Sequence, residues 1–531
     1  MNLKTNLAVI GFLLIVSSSC ESDLNVSPED PNTFTAEDFY NTPESYLQSL
    51  AGVYSNLSLT GTDGAANSNI QGLDAGTSQY GRGLWNLQVV TTDEAIWSWE
   101  NDDGIREMNR TNWTSENVII RGMFGRTMTS IAFANEYLRQ TSDAILDSRG
   151  VSSELRDDIQ GYRAEAKFLR ALSYYHMMDL FGKAAYVTED DPVGAYQAPQ
   201  YERPELFAFI ESELLEIIPQ LADPRQNEYA RADKAAAWMV LAKIYLNAEV
   251  YINEDRYSDC LNYCEQIIGA GFTLTPNYLN AFMADNDQGP ARQEIIFPVV
   301  SDGVVTQNYG PTTVSINGQV GSLEQNGEEF GVIAGGWGGA LRVTRQFSEV
   351  MLNGVYNNDD RNTIIIGDRP IDIVNISNNG SGYIVAKWSN RSSTGIAGSA
   401  TEIVDTDFPM FRLADVYLMY AEAHLRGGGG TISDAVGYVN ALRNRANNPL
   451  QVSAGELNLD LILNERLVEL YWEAHRRQDL VRFGRYSGGA YNWAWKGNAP
   501  SGIPISPNRD VFPIPAASLG SNPNLTQNDG Y

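Results

Sequence analysis

The chain has 531 residues, 43% hydrophobic and 19% charged, the make-up of a globular protein long enough to bury a large core in up to two or three domains. Its formal charge of −29 argues against nucleic acid as a partner, because phosphate binding needs clustered Lys and Arg, and against electrostatic adhesion to anionic lipid. Neutral ligands remain open, and the 27 Tyr against 18 Phe suit surfaces that are both apolar and wet.

The N-terminus reads as a processing signal. Lys4 supplies positive charge, Leu7 to Val16 an apolar stretch too short to span a bilayer, and Ser17-Ser18-Ser19 a small-residue site before Cys20. This pattern predicts a bacterial lipoprotein signal over residues 1–19 with acylation of Cys20, although Ser17 stands where Leu is usual. The alternative is ordinary secretion that leaves Cys20 as an odd thiol. Residues 20–35, rich in Pro, Asn and Asp, read as a tether.

Two tryptophans two residues apart, Trp97 and Trp99, stand among carboxylates and amides. In an extended segment they project to the same side, roughly 6.5 Å apart. Two indole faces beside hydrogen-bonding groups suit a pyranose, which offers axial C–H groups to a ring and hydroxyls to polar side chains. The same pair could instead plug a core.

Helical periodicity follows from Arg156 to Phe181, with Gly182 as the stop, then from Pro204 to about Leu221. Arg231 to Glu249 carries Trp238, Leu241, Ala242 and Tyr245 at the spacing of a tetratricopeptide first helix, and Tyr257 to Ile268 supplies its partner. Cys260 and Cys264, four apart on one face, read as buried thiols. Phe272 to Pro409 is irregular and Gly/Asn/Ser-rich, with short β pieces at Glu294–Val300 and Thr363–Gly367. Helices return at Arg412, break at Gly427–Gly430, resume with Ser433 as N-cap through Arg445, and continue from Leu459 to Phe483. The fold class expected is mostly α, with tetratricopeptide-like helix pairs carrying a long irregular region with short strands.

Catalytic signatures are weak. The three histidines, His176, His424 and His475, each fall on a periodic helix, and no nucleophile elbow, phosphate loop or zinc-protease motif occurs. With 66 Asp and Glu an accidental glycosidase pair stays open. Binding features are stronger. Trp337 is framed by Gly335, Gly336, Gly338 and Gly339, which favours exposure, and Tyr309 and Arg82 lie in short Gly-bearing turns. Asp285-Asn286-Asp287 and Asp405-Thr406-Asp407 have the alternating oxygens of calcium loops, or of solvated turns.

Taken together these residues resemble the SusD/RagB glycan-binding lipoproteins of bacterial outer membranes. The marks are TTDEAIWSW (Thr91–Trp99), RAEAKFLRALSYY (Arg163–Tyr175), DLFGKA (Asp179–Ala184), FMADND (Phe282–Asp287), FRLADVYLMYAEA (Phe411–Ala423), RRQDLVRFGRY (Arg476–Tyr486) and the ending through Tyr531. A further mark starts at Ala230, without the Gly of the family pattern, and the Trp97–Trp99 segment looks like the starch-binding member.

The resemblance implies one superhelical domain over 36–531, its scaffold at about 36–60, 113–270 and 410–485, and ligand-binding loops at about 61–112, 271–409 and 486–531. It implies a non-catalytic, cofactor-free lipoprotein that faces the cell exterior, binds α-1,4-glucan (starch or maltooligosaccharide) and serves a SusC-like TonB-dependent transporter. The aromatic arc would be Trp99, Tyr309 and Trp337 with Trp97 adjacent, and the polar contacts Arg82 with Asn101 or Asp102. Asp102 stands where the family has Asn, directly after Asn101. A structural calcium would map onto Asp287, Asp405 and Asp407. The alternatives are a binder of another glycan or peptide, and a glycoside hydrolase.

Overall fold

The computed structural model describes residues 35–62, 64–321, 324–333, 337 and 339–531. The expected signal, Cys20 and nearly all of the tether lie outside the described residues. The chain divides into two compact units, residues 1–49 and 50–531. In the first, a helical turn over Ala36–Phe39 is closed by a capping box between Thr35 and Asp38.

The second unit is mostly helical. Its principal helices are α1 (Tyr80–Trp85), α2 (Val118–Gln140), α3 (Ser153–Phe181), α4 (Arg203–Ile217), α5 (Lys234–Leu246), α6 (Tyr257–Gly269), α7 (Pro311–Gln319), α8 (Leu413–Leu425), α9 (Ile432–Arg445), α10 (Leu459–Leu470) and α11 (Arg476–Arg482). They pack as successive pairs: α2 on α3, α3 on α4, α5 on α6, α6 on α8, and α8 on both α9 and α10. This is the tetratricopeptide-like arrangement that the periodicity predicts.

Local chemistry sets the helix ends. Gly182 ends α3 with φ of 72°, a left-handed turn that glycine adopts without strain. The N-cap of α9 is Thr431 and not Ser433, because the Thr431 hydroxyl accepts from the Asp434 amide (3.0 Å). The predicted run from Leu459 to Phe483 is two helices. Trp472 and Ala474 both take positive φ between α10 and α11, which drives the Trp472 indole into the core.

Among the described residues the strands are short and pair in twos: β1 (Ile96–Trp97) with β5 (Leu341–Arg342), β2 (Lys183–Ala185) with β3 (Gln200–Glu202), β4 (Ile295–Val299) with β8 (Phe408–Arg412), and β6 (Ile364–Ile365) with β7 (Ile384–Val385), all antiparallel. The β pieces expected at Glu294–Val300 and Thr363–Gly367 correspond to β4 and β6, the latter trimmed to two residues.

A buried ion network fastens the irregular region to the helices. Arg412 donates to Glu294 (2.8 Å), Glu469 (2.7 Å) and Glu473 (2.6 Å); Arg361 donates to Asp359, Glu465 and Glu469; and Lys387 donates to Glu473 (2.6 Å). All of these side chains are buried, and buried ions persist only when paired. Burial alone would raise the Glu469 carboxyl, but Arg445, Arg412 and Arg361 hold it well below the usual carboxylate range. Burial also lowers Lys387 to about 8.

Candidate functional site

The Trp97–Trp99 segment is anchored from behind. The Asp93 carboxylate receives two hydrogen bonds from Arg476 (both 2.7 Å) and one from the Tyr491 hydroxyl (2.7 Å). Glu94 accepts the Trp472 amide on its carboxylate and the Trp472 indole N–H on its backbone carbonyl (both 3.1 Å). The acids just before the tryptophans are therefore fasteners to the α10–α11 turn and not ligand groups. Burial pushes the Glu94 carboxyl well up. Behind them Trp85 meets Trp97 and Trp472 edge to face, with centroids 6.2 and 6.0 Å apart.

Trp97 is wholly enclosed, 0% exposed, so the expectation that it contacts ligand is corrected: it supports the platform from beneath. The reason is register. The pairing of β1 with β5 sets Trp97 opposite Leu341, while Trp99 lies beyond the last paired residue, where the chain turns and the Asp102 amide donates to the Trp99 carbonyl. Trp99, half-buried, packs on Trp97 at 5.9 Å and on Trp337 at 5.1 Å, the latter pair inclined at 47°. Trp337 is also half-buried. The Gly339 turn, with φ of 63°, lets the Gly339 amide reach Val320 while Ala340 bonds back to the Trp337 carbonyl, which returns that indole to Trp99. The two half-buried indoles meet at an angle and form a folded plate.

Arg82 lies at the edge of this plate, its guanidinium over the Trp97 ring at 5.0 Å. Burial lowers it to about 10, opposed by Asp74 and Asp102. Asp102 and Asn101 are exposed at the rim. Desolvation raises the Asp102 carboxyl, Asp74 and Asp103 add to the rise, and Arg82 opposes it. Tyr309 is half-buried, its hydroxyl donating to Glu402 (2.8 Å), and its ring touches neither Trp99 nor Trp337. A Cβ on Gly81 would lie 2.9 Å from Pro311 Cδ, so glycine lets α7, which Tyr309 precedes, approach α1. Arg82, Trp99, Trp337 and the Asn101–Asp102 rim are thus brought together, with Tyr309 on the adjoining element.

The acidic loops are wired to protein groups. Asp285 accepts from the Ser393 amide and hydroxyl, and Asp405 from Gly303 and from the Ser399 amide and hydroxyl. Asp407 accepts from the Ser301 amide and the Tyr229 hydroxyl (both 2.8 Å). Asn286 ties the two loops together, donating to the Asp407 carbonyl (2.9 Å). Burial pushes Asp407 up to about 7, with Asp287 and Asp405 adding to the rise. Among the described residues no group of three carboxylates, imidazoles or thiols is arranged to hold a metal, so Asp287, Asp405 and Asp407 do not form a ready cation cage. The hydrogen bonds just described already engage both Asp405 and Asp407. His176 and His475 are buried in the helical core, and His424 bonds the Gly429 carbonyl (2.7 Å).

Comparison with known proteins accounts for this plan. A family model described as "SusD family" matches residues 268–531, and another, described as "Starch-binding associating with outer membrane", matches residues 71–246. Starch-binding protein SusD of Bacteroides thetaiotaomicron is 33% identical, over 99% of this chain and 98% of that one. The chain belongs to the SusD family. SusD-like protein P25 of Formosa agariphila is 26% identical over 99% of this chain and 98% of that relative. Among solved structures, a SusD superfamily protein from Parabacteroides distasonis superposes with a TM-score of 0.69 at 21% identity, covering 94% of this chain and 100% of the other. A laminarin-binding SusD-like protein superposes with a TM-score of 0.66 at 21% identity, covering 92% and 99%.

Sequence reasoning missed three parts of this SusD-family site. Trp85 and Trp472, its foundation, are 387 positions apart in the hydrogen bond that joins them, which no local pattern reveals. Asn86 opens a five-residue π-helical turn (Asn86–Val90) directly after α1, inside what reads as an apolar run. Its only signal is its spacing four residues after Arg82, which puts both on one helical face.

Proposed function

We propose that this protein captures starch-type α-1,4-glucan outside the cell, held to the outer membrane by a lipid on Cys20, and passes it to a SusC-like TonB-dependent transporter without catalysing a reaction. The observation that carries this reading is the Trp99–Trp337 plate, two half-open indoles inclined at 47° with a guanidinium and an amide–carboxylate rim beside them. Successive sugar rings of a curved chain turn their faces through an angle, which a folded plate follows and a flat plate does not. The nearly full-length likeness to a starch-binding protein supports the same choice of glycan. The fold by itself does not make that choice, since it also serves a protein described as laminarin-binding.

Calorimetry with β-cyclodextrin, maltoheptaose, laminarihexaose and cellohexaose tests it. The α-glucans should bind, the cyclic one at least as tightly as the linear one because its curvature is already set. Heat only with the β-linked sugars would overturn the starch reading, and release of reducing sugar by the purified protein would overturn the non-catalytic one. Cys20→Ala should release the protein from the membrane fraction.

A further inference from the structure

We propose that Arg342 is a positioning residue of the tryptophan plate: by clamping the loop over residues 370–382 it fixes the inclination of Trp99 to Trp337, and with it the preference for curved over extended glucan. The inference deepens the glucan reading above and rests on it. Arg342 lies on β5, opposite Ile96 of β1 and just after the turn that carries Trp337. Trp99 follows β1 and Trp337 precedes β5, so this strand pair joins the two leaves of the plate.

The clamped loop is a compact Ω-shape. Its neck is closed by the Gly382 amide, which donates to the Pro370 carbonyl (2.8 Å), and Ile373 and Ile376 turn inward to pack on Ile96, the residue before Trp97. Gly382, at φ of 77°, leaves room for Ile373, which a Cβ there would meet at 2.6 Å. Side chains that donate to its backbone carbonyls hold the loop in place. The Arg342 guanidinium reaches three of them: Ile376 (2.5 Å), Asn378 (2.7 Å) and Ser381 (3.0 Å). Arg369 adds Asn379 (2.6 Å), and the Trp495 indole N–H adds Ile373 (2.7 Å).

The loop in turn touches both leaves. The Ser377 hydroxyl donates to the carboxylate of Glu100, the residue after Trp99 (3.3 Å), and a Cβ on Gly339, two residues after Trp337, would lie 3.4 Å from Asn379. A wedge seated against these two points sets the angle between the rings. Arg342 itself is 0% exposed, no carboxylate pairs with it among the described residues, and its Nε has no acceptor. Burial lowers it to about 9, and Arg369 adds to the fall. A buried charge balanced only by carbonyl dipoles costs stability, so packing alone would favour an apolar side chain here. What the guanidinium supplies is a planar fork that reaches three carbonyls of one loop at once.

Calorimetry with β-cyclodextrin and maltoheptaose on wild type, Arg342→Met and the double variant Asn375→Gly/Asn378→Gly tests this. The double variant removes, at two exposed positions, side-chain oxygens that accept the Ser377 and Gly380 amides, so it loosens the loop without touching the core. A rigid ring binds well only where the plate already has its angle, while a linear chain adapts. The ratio of cyclic to linear affinity should therefore fall about tenfold in both variants. A role in stability alone would lower the bound fraction for both sugars alike and leave that ratio at its wild-type value. An unchanged ratio in either variant, measured on folded protein, overturns the proposal and leaves the glucan reading intact; if Arg342→Met does not fold, the double variant decides. A wild type that prefers the linear chain has no set angle to lose and overturns the proposal as well. Binding of neither sugar by wild type overturns the glucan reading and the proposal with it.

Discussion

Acid should destabilise this protein through a buried histidine, by an amount that follows from its surroundings. His176, on α3, is buried with its Nδ1 hydrogen-bonded to the Tyr80 hydroxyl (2.7 Å). Burial lowers its pKa to about 3; Asp179 opposes the shift and Lys243 adds to it. The unfolded chain takes up this proton below about 6.5, while the folded chain resists to about 3, so between those values the unfolded state binds more protons and stability falls as pH falls. At pH 5 the gap is about 1.5 pH units, or about 2 kcal/mol at 1.36 kcal/mol per unit. Other groups act in the opposite sense: Asp407, raised to about 7, favours the folded state as pH falls through that value. The clean quantity is therefore a difference of differences. Urea unfolding of wild type and His176→Gln, followed by tryptophan fluorescence at pH 7 and pH 5, isolates it. The variant should be less stable at pH 7, having lost a packed ring, and should recover about 2 kcal/mol relative to wild type at pH 5. A stability gap that does not change between the two pH values would refute the reasoning.

Three further outcomes follow from the same structure. Arg412→Met leaves Glu469 and Glu473 buried beside fewer cations and should lower stability by about 3–5 kcal/mol, seen as a lowered Tm; an unchanged Tm would contradict the role given to the network. Trp97→Ala and Trp99→Ala should separate: the first removes an enclosed indole and should cost about 3–5 kcal/mol in unfolding free energy, the second should leave the Tm within a few degrees. Equal losses of Tm would place both rings in the core. Asp93→Asn weakens the charge-assisted contact with Arg476 and should lower stability without changing which glycans bind, as a glycan panel on the folded variant would show.

Much of the scaffold was legible because its signals are local. The stripe that ends at Gly182, the proline at the start of α4 and the tetratricopeptide spacing in α5 each depend on neighbours within a few turns. The break at Trp472 was not legible, because two non-glycine residues take positive φ there and only distant partners, Glu94 and Trp85, make that conformation favourable. The Trp97–Trp99 pair illustrates the same limit. Spacing alone places both indoles on one side of an extended strand, but β1 ends at Trp97, so the next residues turn and one ring is sealed while the other stays open. The acidic loops show the same limit: the sequence gives Asp285 and Asp405 as oxygen-rich turns, and only the fold shows that amides of Ser393 and Gly303, from remote segments, donate to them.

The central claim is that Trp99 and Trp337 form the face on which an α-glucan stacks. Its most direct test is the affinity of wild type, Trp99→Ala and Trp337→Ala for one α-glucan, maltoheptaose, by calorimetry at matched folding. Stacking rings at the centre of a site typically contribute 2 kcal/mol or more, so each variant should bind at least about 30-fold more weakly than wild type. Affinity for maltoheptaose that is unchanged in both folded variants would contradict the account.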